Sequence, residues 1–246
     1  MAPIDQEICH IVRDNDNEPV KYSFDARKLV VTPPRALKKG KFSNVKYSGS
    51  SLYFETPILH LPMGISSFED EGKKSLFVSC RGHEDATDVK LFVDALESLQ
   101  NRIIDQAADL KLLGEKSSSR DLIAEFMTPI IKPSDKYPPA FRVALPTTDG
   151  KYTVNTFKKE AGKTVPCDLD DVEVRGARAK IIFTMSSVWV VNNKNWGVSL
   201  KATQLLLRPS FDLQSVSTSC FRDENLGEDS EGEHDGFDQV ESDAEL

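Results

Sequence analysis

Between Arg27 and Lys46 the chain places Arg27, Lys28, Arg35, Lys38, Lys39, Lys41 and Lys46 with no acidic residue among them. Phe24, Phe42 and Tyr47 lie within or beside this run. Ammonium and guanidinium groups neutralise phosphates, and flat rings accept the faces of unpaired bases, each stack being worth roughly 1–3 kcal/mol whatever the base. A second set gathers in the C-terminal half. Lys151, Tyr152, Phe157, Lys158, Lys159, Lys163, Arg175, Arg178, Lys180, Lys194 and Lys201 surround Trp189 and Trp196, and Tyr137 and Arg142 bracket Pro138–Pro139. The ordinary alternative is a solvated loop for the cations and a core for the rings. Phe141 and Phe183, in strongly apolar segments, belong to the core. Of the two tryptophans, Trp189 has the more core-like surroundings and Trp196, after a polar turn, the more open ones.

Other chemistries find little support. The chain has no Walker A loop, no GxGxxG after a strand, no HExxH and no GxSxG. Cys9, Cys80, Cys167 and Cys220 form no CxxC pair, and His10, His60, His83 and His234 supply no zinc spacing; Cys9–His10 is the one adjacent soft-ligand pair. Scattered cysteines read as reduced thiols of an intracellular protein. No apolar stretch approaches the roughly 20 residues that span a bilayer, so no membrane association is expected, and the N-terminus does not read as a secretory signal. Asp168, Asp170, Asp171 and Glu173 offer carboxylates of the kind that hold a divalent metal in nucleases, although their placement before Arg175–Gly176 in a polar loop favours plain surface charge.

The last 24 residues, from Asp223 to Leu246, contain eleven Asp or Glu and no Lys or Arg. The whole chain carries -8. With eleven of its 39 acidic residues in the tail, residues 1–222 hold 31 basic against 28 acidic groups, a net of +3. A mildly basic body is thus joined to a polyanion able to imitate nucleic acid toward basic surfaces. A disordered tail over 223–246 and a single folded domain over 1–222 are expected.

The elements that position these groups are mostly strands. Apolar and β-branched clusters at Lys28–Thr32, Leu52–Leu61 and Ser75–Cys80, broken by Pro, Gly and Ser, read as an N-terminal β region. Over residues 84–113, Val89, Phe92, Val93, Leu96, Leu99, Ile103, Ala107 and Leu110 recur at three- and four-residue intervals and predict an amphipathic helix, with Thr87 suited to its start and Gly114 to its end. Arg120–Met127 is left open between helical turns and a strand, and prolines make 128–140 an irregular connector. Ala177–Val191, the NNKN turn and Trp196–Leu207 predict a long hairpin with a four-residue loop. Pairing Val191 with Trp196 would set Trp189 against Val198 and put both tryptophans on one face.

Lys136–Pro146 (KYPPAFRVALP), Arg175–Pro209 with its W-turn-W-G-x-S-x-x-x-x-Q-L pattern, and the acidic terminus resemble the single-stranded DNA-binding proteins of the bacteriophage T7 type, with relatives in large DNA viruses of eukaryotes. In this chain the pattern is Trp189, the NNKN turn, Trp196–Gly197–Val198–Ser199 and Gln204–Leu205. The resemblance implies a five-stranded OB-fold barrel with a helix between strands and additional strands around it, so that with the long helix read at 84–113 the expected fold is mainly β with one long helix. It implies sequence-tolerant, non-catalytic binding of single-stranded DNA in replication, recombination or repair. It also implies a tail that competes with DNA and recruits replication proteins such as DNA polymerase or helicase. The phage proteins end in an aromatic residue, a place that Phe237 or Leu246 would take here. The expected DNA-binding residues are Arg35, Lys38, Lys39, Lys41, Tyr47, Arg142, Tyr152, Phe157, Lys158, Lys159, Arg178, Lys180, Trp189, Lys194, Trp196 and Lys201. The tail contributes Asp223, Glu224, Phe237 and Leu246. No cofactor or metal is expected, the location is intracellular (host cytoplasm or nucleus for a viral protein), and the oligomeric state is left open, a homodimer included. Two other classes stay open: an acidic-tailed chaperone of histones or other basic proteins, and a metal-dependent nuclease using Asp168, Asp170 and Asp171.

Overall fold

Apolar and β-branched residues at every second position make Arg178–Val191 a strand with one dry face: Ala179, Ile181, Phe183 and Met185 are all buried. Beyond Met185 the phase changes, and Val188 and Val190 become the buried pair. The cause is a bulge. Met185 opposes Leu200 and Ser187 opposes Ser199, so Ser186 has no partner and the alternation slips by one residue. The returning strand, Asn195–Arg208, has its own extra residue at Thr203, whose hydroxyl donates to the Ile182 carbonyl at 2.9 Å. The loop between them is Asn192–Lys194, three residues rather than four, with Asn192 in the left-handed region at φ 54°. The register is therefore Val190 against Trp196 and Trp189 against Gly197. The expected sharing of one face by the two tryptophans is corrected: they point to opposite sides.

The structure is a computed structural model in which residues 7–13, 20–38, 40–67, 73–115, 118–160, 162–192 and 194–208 are described. The chain divides into two units, Met1–Ser210 and Phe211–Leu246, and the second lies wholly outside the described residues. The expectations for Asp223, Glu224, Phe237 and Leu246, for the boundary at 222, and for Lys39 thus fall outside them as well.

From the hairpin the hydrogen-bonded strands run in a circuit. Arg178 and Ala179 pair with the Leu59–His60 strand, and His60 pairs with Ser79 of Lys74–Ser79. That strand is antiparallel to Ala140–Leu145, whose Ala144 meets Lys201 of the second hairpin strand in parallel. The circuit closes on the hairpin, so the sheet is a barrel with both parallel and antiparallel pairs. Extra strands widen it on both sides: Gly40–Tyr47 and Leu52–Glu55 along the first hairpin strand, Asn155–Glu160 with Lys163–Pro166 along the second. At the hairpin tip a Cβ on Gly40 would stand 2.1 Å from the Val190 carbonyl oxygen, so only glycine lets the two backbones lie this close. The expectation of a mainly β, OB-fold-like barrel with one long helix and added strands is borne out.

The helix is Thr87–Asp109, and its predicted apolar residues face inward. Ala86, not Thr87, stands at its N-cap, without a side-chain cap. The chain turns left-handed at Lys111, φ 50°, before Gly114 is reached. Phe92 packs its ring 5.7 Å from Phe141 and 6.4 Å from Phe183, and Phe54 stacks on Phe183 at 5.6 Å. These four rings are essentially unexposed, and each such burial stabilises by roughly 1.5–3 kcal/mol. The helix also seals an edge. Gln106 Nε2 donates to the Leu29 carbonyl and its Oε1 accepts from Val31 N–H, both at 2.7 Å, so the Leu29–Val31 strand cannot recruit another strand there. It packs against the barrel interior and this edge, not against the outer face of the hairpin.

Candidate nucleic-acid interface

Residues opposite each other in a ladder project to the same side of a sheet, so the register lists what shares the outer face of the hairpin. At the tip the row is Arg35, Phe42, Trp189 and Gly197. Next come Asn44, Ser187 and Ser199, then Tyr53, Thr184, Lys201 and Ala144. Glu55, Ile182, Gln204 and Asn155 form the following row, and Lys180, Leu206, Phe157 and Pro166 the one after it. Arg178 faces Arg208 at the far end. Two like charges directly opposite each other on a ladder are unfavourable, a cost that a bound anion removes.

The rings on this face, Phe42, Tyr53, Phe157 and Trp189, are all half-buried. Trp189 owes its position to Gly197, where a Cβ would come within 2.8 Å of the indole Cζ2. The missing side chain is what lets the indole lie across the neighbouring strand. Among the described residues no carboxylate lies within ion-pair distance of Arg35, Lys46, Lys159, Arg178, Lys194, Lys201 or Arg208, so these charges are open to phosphates. Lys180 differs: it forms an ion pair with Glu55. Between these two and Phe157, Ile182, Gln204 and Leu206 lies a cavity of about 270 Å³.

Most of the predicted residues meet here. Arg35, Phe157, Lys159, Arg178, Lys180, Trp189 and Lys201 share the face, Lys38 and Lys194 stand at the tips of the turns beside it, and Arg142 is exposed on the next part of the barrel wall, opposite Phe77. Five do not. Tyr47 is 1% exposed, its ring stacked on Phe24 at 5.6 Å and its hydroxyl accepting from Asp25 N–H; burial pushes its phenol up to about 12. Trp196 is 0% exposed and its indole N–H donates to the Ile123 carbonyl at 2.8 Å. Neither ring has a face to offer a base, and both assignments are corrected to core. Lys41 lies opposite inward-facing Val190 and its ammonium reaches the Leu112 carbonyl. Lys158 follows the inward row and pairs with Glu160 at 3.3 Å. Tyr152 sits in the separate Thr147–Tyr152 ribbon, with the Lys74 ammonium 4.3 Å from its ring centre.

Tyr53 and Arg208 were missed, and their strand neighbours held the clue: each occupies the outward phase next to a buried residue, Phe54 and Leu207. The other chemistry-bearing residues have structural employment. Asp168 accepts from the Asp170 N–H and caps a short turn, and no group of three His, Cys, Asp or Glu among the described residues could hold a metal ion. His10 Nδ1 donates to the Ile8 carbonyl, while burial raises the thiols of Cys9 and Cys80 to about 11 and about 12, which keeps them protonated and unreactive. No helix among the described residues is long and apolar enough to cross a membrane.

No known family model matches the chain, and no curated protein does. Solved structures are similar to it, two single-stranded DNA-binding proteins of bacteriophages among them. One is gp2.5, a single-stranded DNA-binding protein encoded by bacteriophage T7, at 12% identity over 78% of this chain and 100% of that one, with a TM-score of 0.40. The other is the single-stranded DNA-binding protein from bacteriophage Enc34 with a C-terminal truncation, at 10% identity over 74% of this chain and 96% of that one, with a TM-score of 0.36.

Proposed function

We propose that this chain is a non-catalytic, sequence-tolerant single-stranded DNA-binding protein that holds the strand along the outer face of the long hairpin. The observation that supports this reading is the face itself, where half-exposed Phe42, Tyr53, Phe157 and Trp189 alternate with unpaired cations and no helix among the described residues packs over them. Rings recruit unpaired bases because a duplex hides its base faces, and the cations take the phosphates between them. Titration of the tryptophan emission with oligo-dT across salt concentrations tests it. For single strands the logarithm of affinity falls about 0.7 per neutralised phosphate for each tenfold rise in salt, so five contacts lose about a hundredfold between 50 and 200 mM. Salt-independent binding, or equal affinity for duplex, would sink the proposal.

Replication, recombination and repair are the settings in which such a protein works, with DNA polymerase or helicase as partners of the tail. Residues 1–222 are the body that carries the face, and residues 223–246 act on it in cis. For 24 residues a random-coil estimate gives a reach of about 25–30 Å, and tethering sets an effective concentration on the order of mM. At that concentration eleven carboxylates occupy the cationic face when DNA is absent, and DNA, with more charge and with stacking, displaces them. Deleting 223–246 is therefore expected to tighten oligo-dT binding severalfold at low salt. Equal affinity with and without the tail would remove the competition from the mechanism.

A further inference from the structure

Glu55 is out of keeping with its surroundings. In the outward rows from Arg35 to Arg208 it is the one acidic residue. A carboxylate on a path for phosphates weakens phosphate binding, and an exposed ion pair returns little stability, about 0–1 kcal/mol. Yet it is held firmly in place: the Tyr22 hydroxyl donates to the Glu55 carbonyl at 2.8 Å, and Ile182 pairs with it in the ladder. The Glu55 carboxylate and the Lys180 ammonium contact each other while their side chains stay 29% and 40% exposed, so both present open surface to the 270 Å³ cavity beside them. The rest of that cavity suits a flat, mostly apolar guest: the Phe157 ring, Ile182 and Leu206, with the Gln204 amide at its edge.

We infer that the Glu55–Lys180 pair is a reader of the Watson–Crick edge of one unpaired base seated on Phe157. This inference rests on the outer face being the strand-binding surface. A carboxylate only accepts hydrogen bonds and an ammonium only donates them. Set side by side, they match an edge on which a donor adjoins an acceptor. Every base has one: N3–H beside O4 in thymine, N4–H beside N3 in cytosine, N6–H beside N1 in adenine, N1–H beside O6 in guanine. The slot is thus tolerant of sequence. In a duplex the same atoms are engaged by the partner strand, so a paired base finds the slot closed to it. Stacking supplies affinity for single strands, and the ion pair adds a chemical check that the base is unpaired.

The test compares oligo-dT with an oligomer of N3-methylthymidine, which keeps the ring face and the phosphates but lacks the N3–H donor. The full chain is expected to bind the methylated oligomer about tenfold more weakly, the scale of a hydrogen bond to a charged group. In the Glu55→Ala, Lys180→Ala double variant the two oligomers are expected to bind within about twofold of each other. Glu55→Gln, which keeps the shape of the side chain and removes its charge, serves as the second variant should the first not fold, and is expected to shrink the ratio to a few-fold. Equal binding of both oligomers by the full chain would overturn the edge reader while leaving single-strand binding intact. A tenfold ratio that persists in the variants would overturn it also, by placing the discrimination elsewhere. Failure to bind either oligomer would remove the strand-binding face itself, and the reader with it.

Discussion

Trp189→Ala is expected to weaken oligo-dT binding between about fivefold and a hundredfold, the range for loss of one stacked base. The cost to stability is expected to be small, about 1 kcal/mol, because the ring is half-buried and its nearest support is a glycine. The measurement is the oligo-dT affinity beside a urea unfolding curve of the same variant. Gly197→Ala provides a second route to the same end. Its new methyl group claims the space 2.8 Å from Cζ2, so the indole has to leave its seat across the strand. Affinity is expected to fall by a similar factor with Trp189 still present. Unchanged affinity in both variants would make Trp189 a packing residue and move the stacking to Phe42, Tyr53 or Phe157.

Trp196 is expected to behave in the opposite way. It is wholly buried, and its indole N–H satisfies the Ile123 carbonyl in the short Arg120–Glu125 helix. Its backbone carbonyl also accepts from Thr128 N–H at 2.7 Å, which ties the connector to the hairpin. Trp196→Ala is expected to lower unfolding free energy by about 3–5 kcal/mol, through the cavity and the carbonyl left unpaired. Trp196→Phe keeps most of the volume and is expected to cost about 1–3 kcal/mol, with oligo-dT affinity of the folded fraction unchanged. The emission separates the two roles. Oligo-dT is expected to quench Trp196→Phe, whose remaining indole is Trp189, and to leave Trp189→Phe almost unquenched. The reverse pattern would overturn both assignments.

These two tryptophans show how far a sequence can be read. Their surroundings point the wrong way: Trp189 stands in an apolar run and Trp196 after a polar turn, yet the first lies on the outer face and the second in the core. The unpaired Ser186 decides it. Without that bulge the odd-numbered phase of Ala179, Ile181, Phe183 and Met185 would continue and carry Trp189 inward. Alternation is visible in a sequence; a single residue that drops out of a ladder is not, because it depends on which strand is opposite. The same holds for Tyr47 and Lys41, whose neighbours in the cationic run do face outward. Tyr47 is taken inward by Phe24 and the Asp25 backbone, and Lys41 by its place opposite Val190.

The sequence by itself determined the classes of element: a helix from its three- and four-residue apolar spacing, a long hairpin from two β-branched runs around NNKN, and cations interleaved with rings. These are local patterns, carried by the periods of helix and strand. Only the tertiary structure decided which of those rings and charges act together. Register, two bulges and the closing of the circuit through Ala144 and Lys201 bring Arg35, Phe157, Lys180 and Trp189 onto one face, from positions up to 154 residues apart. They also set Glu55 beside Lys180. Pairings over such distances follow from which strands find each other, and no window of neighbouring residues contains them.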